Sequence, residues 1–179
     1  MEKKFKIFLV AALSVLFLQG VFTLIWSSVR KNKTAYIKTE QVYNGFGMKK
    51  RLETDLKKTV DIRQHLLDSL RLQLDMFSIQ LQDKNKKADS SLVNSFSSMR
   101  EAYFRRQEEF RQSNESLAKQ YTDQVWAQLN QYLEDYGHQK GYEYIFGANG
   151  DGALMFADDA VNITDDVCAY VNTRFNGQP

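Results

Sequence analysis

Residues 82–91 read Gln-Asp-Lys-Asn-Lys-Lys-Ala-Asp-Ser-Ser, ten positions with no apolar side chain larger than Ala88. They separate two long stretches of helical periodicity. Before them, Leu52, Leu56, Val60, Leu67, Leu70, Leu74, Phe77 and Leu81 recur at spacings of three, four or seven. After them, Phe96, Met99, Tyr103, Phe110, Leu117, Tyr121, Val125, Leu129, Tyr132 and Leu133 mark one broad face, ended by Gly137 and Gly141. Such spacing places one apolar side chain per turn on the same side of a helix. The polar stretch is therefore a reversal point between two antiparallel helices, from about Gln41 and from about Leu92 to Tyr136. At ~1.5 Å per residue each extends roughly 60 to 70 Å, so their lengths match. The only proline is Pro179, which leaves both helices free to run unbroken.

The first helix carries more apolar residues than a hairpin seam needs. Ile62, Leu66, Leu72, Met76 and Ile79 widen its stripe, and that surplus should face a third element, another subunit or a client. In the second helix, the run Phe104, Arg105, Arg106, Glu108, Glu109 puts charge at the level of the seam, which predicts a weakly packed, flexible arm.

Outward from the arm the pattern changes. Thr34–Thr39 is a β-prone run, and Thr39 is placed to cap a helix with Glu40 in its first turn. Tyr142–Phe146 and Ala153–Ala157 flank Gly147-Ala148-Asn149-Gly150-Asp151-Gly152, which predicts a β-hairpin. Thr164, followed by Asp165 and Asp166, predicts the start of a short helix reaching about Phe175. With Thr34–Thr39 the hairpin forms one small sheet that brings the ends of the arm together. The fold class is α+β, mostly α: a β-rich body from 34–40 and 137–179, and an arm over 41–136 with its tip near 82–91.

Residues 1–33 read as a membrane-targeting segment. After Lys3, Lys4 and Lys6, Ile7–Val29 runs 23 residues without a charge and closes with Trp26 before Arg30, Lys31 and Lys33. A signal-peptide core is usually ~7–15 apolar residues, whereas ~20 cross a bilayer. No A-x-A-like site closes the run, so an uncleaved signal-anchor is favoured over a removed signal peptide.

The 179 residues carry a net charge of +2 that hides a segregation. Residues 1–63 hold 13 Lys/Arg against 5 Asp/Glu, whereas 134–166 hold Lys140 against eight acids. The near-neutral total argues against a nucleic-acid binder that works by bulk charge. One cysteine and two histidines exclude an internal disulfide and leave little for a metal centre. The 147–152 loop lacks both the glutamate of an EF-hand and the GK[ST] of a phosphate loop. His65 and His138 have no acid–nucleophile partner at a telling spacing, and Cys168 reads as a small core residue. No enzyme constellation and no cofactor site emerges. Lys84, Lys86 and Lys87 at the tip either meet an anionic lipid or acidic polymer, or simply solvate a turn.

The order of elements resembles the Skp/OmpH family of periplasmic chaperones over about residues 34–175. The resemblance rests on Ala35-Tyr36-Ile37 leading into Gln41-Val42-Tyr43-Asn44, the long hairpin, Gly141–Phe146, Ala153–Asp158 and Asn162–Val167. Lys38 stands where the family commonly has an acid, and the N-terminal segment looks retained where a soluble member has a cleavable signal. The resemblance implies a homotrimer whose small sheets form a body, with three arms around a cavity that holds unfolded outer-membrane proteins without ATP. It implies Tyr36, Ile37, Tyr144, Ile145, Phe146, Leu154 and Phe156 in or near the shared body. Client contact would fall to Leu70, Leu74, Phe77, Leu81, Phe96, Met99 and Tyr103, each also able to serve as packing within the hairpin. The expected setting is the periplasm of a Gram-negative bacterium, with the first helix in the inner membrane. An anchored coiled-coil scaffold of an envelope complex is the alternative.

Overall fold

A computed structural model describes residue 19, residues 33–82 and residues 90–177. The chain runs β1 (Thr34–Lys38), α1 (Thr39–Gly45), α2 (Gly47–Gln82), α3 (Ser90–Lys140), β2 (Tyr144–Ala148), a 3-10 turn (Asp159–Val161) and α4 (Thr164–Phe175). Helices α2 and α3 pack along their lengths as the predicted hairpin. The segment Ile7–Val29 lies outside the described residues apart from Gln19, and the tip lysines Lys84, Lys86 and Lys87 lie outside them too. Among the described residues no helix is long and apolar enough to cross a membrane.

The first arm helix is broken where the sequence suggested continuity. Phe46 sits between α1 and α2 with extended backbone angles, φ −73° and ψ 124°, and its ring is fully buried. It meets Phe175 and Tyr132 edge-on, at centroid distances of 5.6 and 6.1 Å. The Asn172 side chain of α4 takes over the backbone groups that the break releases. Its Oδ1 accepts from Gly47 N at 2.7 Å and its Nδ2 donates to Gly45 O at 3.1 Å. A Cβ on Gly47 would stand 3.1 Å from that Oδ1 and 3.3 Å from the Phe175 ring, so any side chain there crowds the junction. Gly-Phe-Gly thus turns the chain from body to arm while driving Phe46 into the core.

The predicted β-hairpin is not formed. β2 pairs instead with β1, in parallel, with Thr34 opposite Tyr144 and Lys38 opposite Ala148. The direction follows from α3, which runs past the predicted Tyr136 stop to Lys140, where Lys33 Nζ donates to Lys140 O at 2.9 Å. Gly141, at φ +70°, then reverses the chain. Tyr142 N donates to Gly137 O and Gly141 N to His138 O, the paired bonds of a left-handed helix cap. Gly137 is consequently a helical residue. Ala153–Ala157 has no regular structure; Ala153 N is engaged by the Asp151 carboxylate at 3.1 Å, and Met155 and Phe156 are almost fully exposed among the described residues.

β1 is the centre of the body. Ala35, Tyr36 and Ile37 are buried, because β2 covers one edge and Asn162–Ile163 the other, with Ile163 N donating to Tyr36 O at 3.0 Å. The core joins Ala35 and Ile37 to Val42 and Phe46, to Val125, Leu129 and Tyr136 of α3, and to Val167 and Val171 of α4. Two expected caps are not caps. Thr39 is the first residue of α1, and its buried hydroxyl has no hydrogen-bond partner among the described residues. Thr164 is the first residue of α4; its Oγ1 accepts from Lys38 N at 2.9 Å, tying α4 to the end of β1, while Asn162 Oδ1 accepts from Thr164 N.

Candidate binding surfaces

The arm presents two unlike outer faces. On α2 the surplus stripe is open to solvent: Ile62, Leu66, Leu72, Met76 and Ile79 are between 47 and 69 % exposed. On α3 the exposed side is ionic. Arg111 bonds Glu108 and Glu115, both at 2.6 Å, and Arg106 lies 3.8 Å from Glu109. Hydrogen bonds from Arg111, then Gln112, hold the Glu108 carboxyl down to about 2. The charge that the sequence placed in the seam therefore faces outward. At that level the seam is closed by buried Leu67 and by Arg63, which stacks 5.4 Å from the centre of the Phe110 ring, donates to Ser113 Oγ at 3.0 Å and bonds Asn114 Oδ1.

All seven side chains expected to touch clients, Leu70, Leu74, Phe77, Leu81, Phe96, Met99 and Tyr103, are half-buried. That is the state of residues on facing stripes of two packed helices, and packing within the hairpin takes up part of each. Most of the arm's exposed apolar surface lies on the neighbouring stripe of α2, which sequence spacing had marked only as surplus; Val93 and Phe104 are exposed on α3.

The residues expected in a shared body divide. Tyr36 and Ile37 are buried in the subunit's own core, and the Tyr36 hydroxyl donates to Asp159 Oδ1 at 3.3 Å. Burial, then the charge of Asp159, raises the Tyr36 pKa. Ile145 packs against the core and Leu154 is half-buried. Tyr144 and Phe146 stack at 6.0 Å on the outside of β2, and Met155 and Phe156 are 87 and 86 % exposed. Tyr144 and Phe146 lie on the strand whose outer edge no described strand pairs with.

Chemistry-bearing groups do not converge. Among the described residues no three of His, Cys, Asp and Glu could hold a metal. His65 and His138 are both exposed, the latter 3.8 Å from Glu134. Burial raises the Cys168 thiol pKa, which disfavours the reactive thiolate. The clefts are open surface depressions, such as the 140 Å³ one lined by Tyr43, Leu52, Leu56, Tyr121 and Val125 at the base of the arm.

The sequence model of the family Outer membrane protein (OmpH-like) matches residues 33–171, which spans body and arm together. The chain belongs to the OmpH-like family. No curated protein sequence matches this chain. Among solved structures, a candidate outer-membrane chaperone, OmpH-like, from Caulobacter crescentus is similar at a TM-score of 0.67 and 19 % identity. The match covers 79 % of this chain and 85 % of that one. The OmpH-like architecture, long helices on a small sheet, is thereby common to both.

Proposed function

We propose that this OmpH-like chain is an ATP-independent holdase that keeps unfolded outer-membrane proteins from aggregating in the periplasm. The observation that carries the reading is the open apolar stripe of α2 on an arm that projects from a small body. A soluble rod has no internal use for such surface, and a non-native chain supplies matching apolar groups. Family membership and the relative's description point the same way.

The assembly proposed is a homotrimer closed through the body. Supporting it are the outward Tyr144, Phe146, Met155 and Phe156 and the unpaired edge of β2, since two strands are marginal alone and an open edge invites pairing. Three arms then surround a cavity, with Leu70, Leu74, Phe77, Leu81, Phe96, Met99 and Tyr103 as partly exposed seam residues that reach clients when the arm splays. The run Ile7–Val29 is read as an anchor in the inner membrane, and Lys84, Lys86 and Lys87 as the basic tip.

The test is light scattering on dilution of a urea-unfolded β-barrel protein, without nucleotide. Suppression at near-stoichiometric amounts of trimer is the expected result. Trimerisation with no suppression overturns the holdase and leaves an anchored scaffold; the mass of the mature protein decides whether the anchor is kept.

A further inference from the structure

The chain enters the body at the pole opposite the arm. α3 runs down the arm and through the core, where Val125, Leu129 and Tyr136 are buried, and ends at Lys140. Gly141 reverses the chain, and β2 returns beside α3, with Ile145 Cδ1 3.6 Å from where a Cβ on Gly137 would stand. β1 lies parallel to β2. Its first residue, Thr34, is therefore at the pole and its last is the one nearest the arm.

Lys33 is fastened at that pole in three ways. Its carbonyl accepts from Glu143 N at 2.9 Å, its Nζ donates to Lys140 O at 2.9 Å, and the ammonium stands 4.0 Å from the centre of the Tyr142 ring. Only Arg30, Lys31 and Asn32 separate it from Val29, the last residue of the uncharged run. Fully stretched, the chain from Val29 to Lys33 spans at most about 14 Å, and a headgroup layer takes up about 5–7 Å of that. A bilayer that holds Ile7–Val29 thus brings the pole against its own surface. Charge at this end suits the contact. Lys33 and Lys140 balance Glu134 and Glu143, Arg174 lies 3.8 Å from Asp135, and Arg30 and Lys31 immediately upstream tip the sum to positive, which anionic headgroups attract.

The arm leaves in the other direction. From Lys140 to Ser90, α3 rises about 75 Å. Arg63 bonds Ser113 and Asn114, so Ile62 stands level with that turn, about 40 Å above Lys140, and Ile79 about 25 Å higher. An open apolar stripe on a charged helix is what lies down in a bilayer interface when it can reach one. At this height it cannot.

We infer that the pole formed by Lys33, Lys140 and Tyr142 rests on an anionic phospholipid surface, which stands the arm away from the membrane and keeps the Ile62–Ile79 stripe out of it. The inference rests on the reading of Ile7–Val29 as an anchor. It adds which face of the body meets lipid and which way the arm points.

The experiment reconstitutes the full chain into vesicles of phosphatidylethanolamine and phosphatidylglycerol that carry a headgroup-linked acceptor dye. In a Cys168→Ala background, a donor dye is placed on Gln139→Cys at the pole or on Ser95→Cys near the far end of α3; both positions are exposed. The two lie about 66 Å apart along the helix, so energy transfer to lipid from position 139 should exceed that from 95 at least about threefold. Unchanged helical circular dichroism verifies that both variants fold. Equal transfer from the two positions, or more from 95, in protein that floats with the vesicles overturns the inference and leaves the anchor standing. Protein that does not float with the vesicles overturns the anchor reading, and the inference falls with it.

Discussion

Asn172→Ala should unlatch the arm from the body. The side chain satisfies Gly47 N and Gly45 O, the two groups released where the helix breaks, and donates a third bond within α4 to Cys168 O at 2.8 Å. The third is the least costly to lose, because it lies along α4's own backbone. The first two have no substitute, since the backbone on either side of Phe46 is held by the buried ring. A hydrogen bond of this kind contributes about 1 kcal/mol net, and a group left unsatisfied in a partly buried place adds about 0.5 more, so the two together come to about 2–3 kcal/mol. For a chain of this size that is a fall in melting temperature of roughly 5–10 °C. Trp126 reports the junction directly, stacked 4.6 Å from Tyr43 at the root of the arm, so its fluorescence in a Trp26→Phe background follows the loss in urea. Asn172→Asp keeps the acceptor for Gly47 N but turns a carboxylate oxygen toward Gly45 O and Cys168 O, so it should lose at least as much. If Asn172→Ala unfolds within about 0.5 kcal/mol of the parent, the bonds to the break are not what fixes it.

Three further outcomes follow from particular contacts. A Cβ on Gly147 would lie 2.6 Å from Thr39 Oγ1, so Gly147→Ala should cost about 1–3 kcal/mol; Thr39→Ala, which removes a buried and unpartnered hydroxyl, should be near neutral alone and rescue it in a double-mutant cycle of urea melts. Glu108 is depressed to about 2 by Arg111 and Gln112, so its contribution is present above an unfolded value of about 4.3 and lost as pH falls toward 2; Glu108→Gln should flatten the pH dependence of the melting temperature in that window. Cys168, raised by burial, should react with a thiol reagent at pH 8 far more slowly in the native protein than in urea, and equal rates would contradict its packing beside Gly45.

The arm was legible because α2 and α3 repeat one signal over many turns, and a period of 3.6 survives a few off-pattern residues. The surplus of Ile62 through Ile79 was legible for the same reason, as residues for which a two-helix seam has no room. The body was harder. Gly147–Gly152 between two apolar runs is the local mark of a hairpin, but Tyr144–Ala148 pairs only with Thr34–Lys38, the run the sequence had placed in the same small sheet, and the hairpin's second strand does not form. The break at Phe46 did leave a mark, two glycines flanking one aromatic residue, that a continuous apolar period concealed. Tyr36 and Ile37 could not be sorted from Tyr144 and Phe146 by sequence: all are apolar strand residues, and only the coverage of β1 on both edges separates core from surface.

The open stripe also bears on how a chaperone without nucleotide can let go. Covering the five exposed aliphatic residues, roughly 500 Å² of the arm, is worth on the order of 10 kcal/mol, and immobilising an unfolded segment on one rod costs a comparable amount, about 4–15 kcal/mol. One arm alone therefore releases a segment quickly. In the proposed trimer, three stripes share one client, and each bound segment raises the local concentration of the next, so avidity rises by about 10² to 10⁴ without any strong contact. Retention then depends on how many segments remain unfolded and extended. In the proposed holdase, a client segment that packs into its own fold withdraws its apolar side chains from the stripe, so folding itself would dismantle the grip, one weak contact at a time.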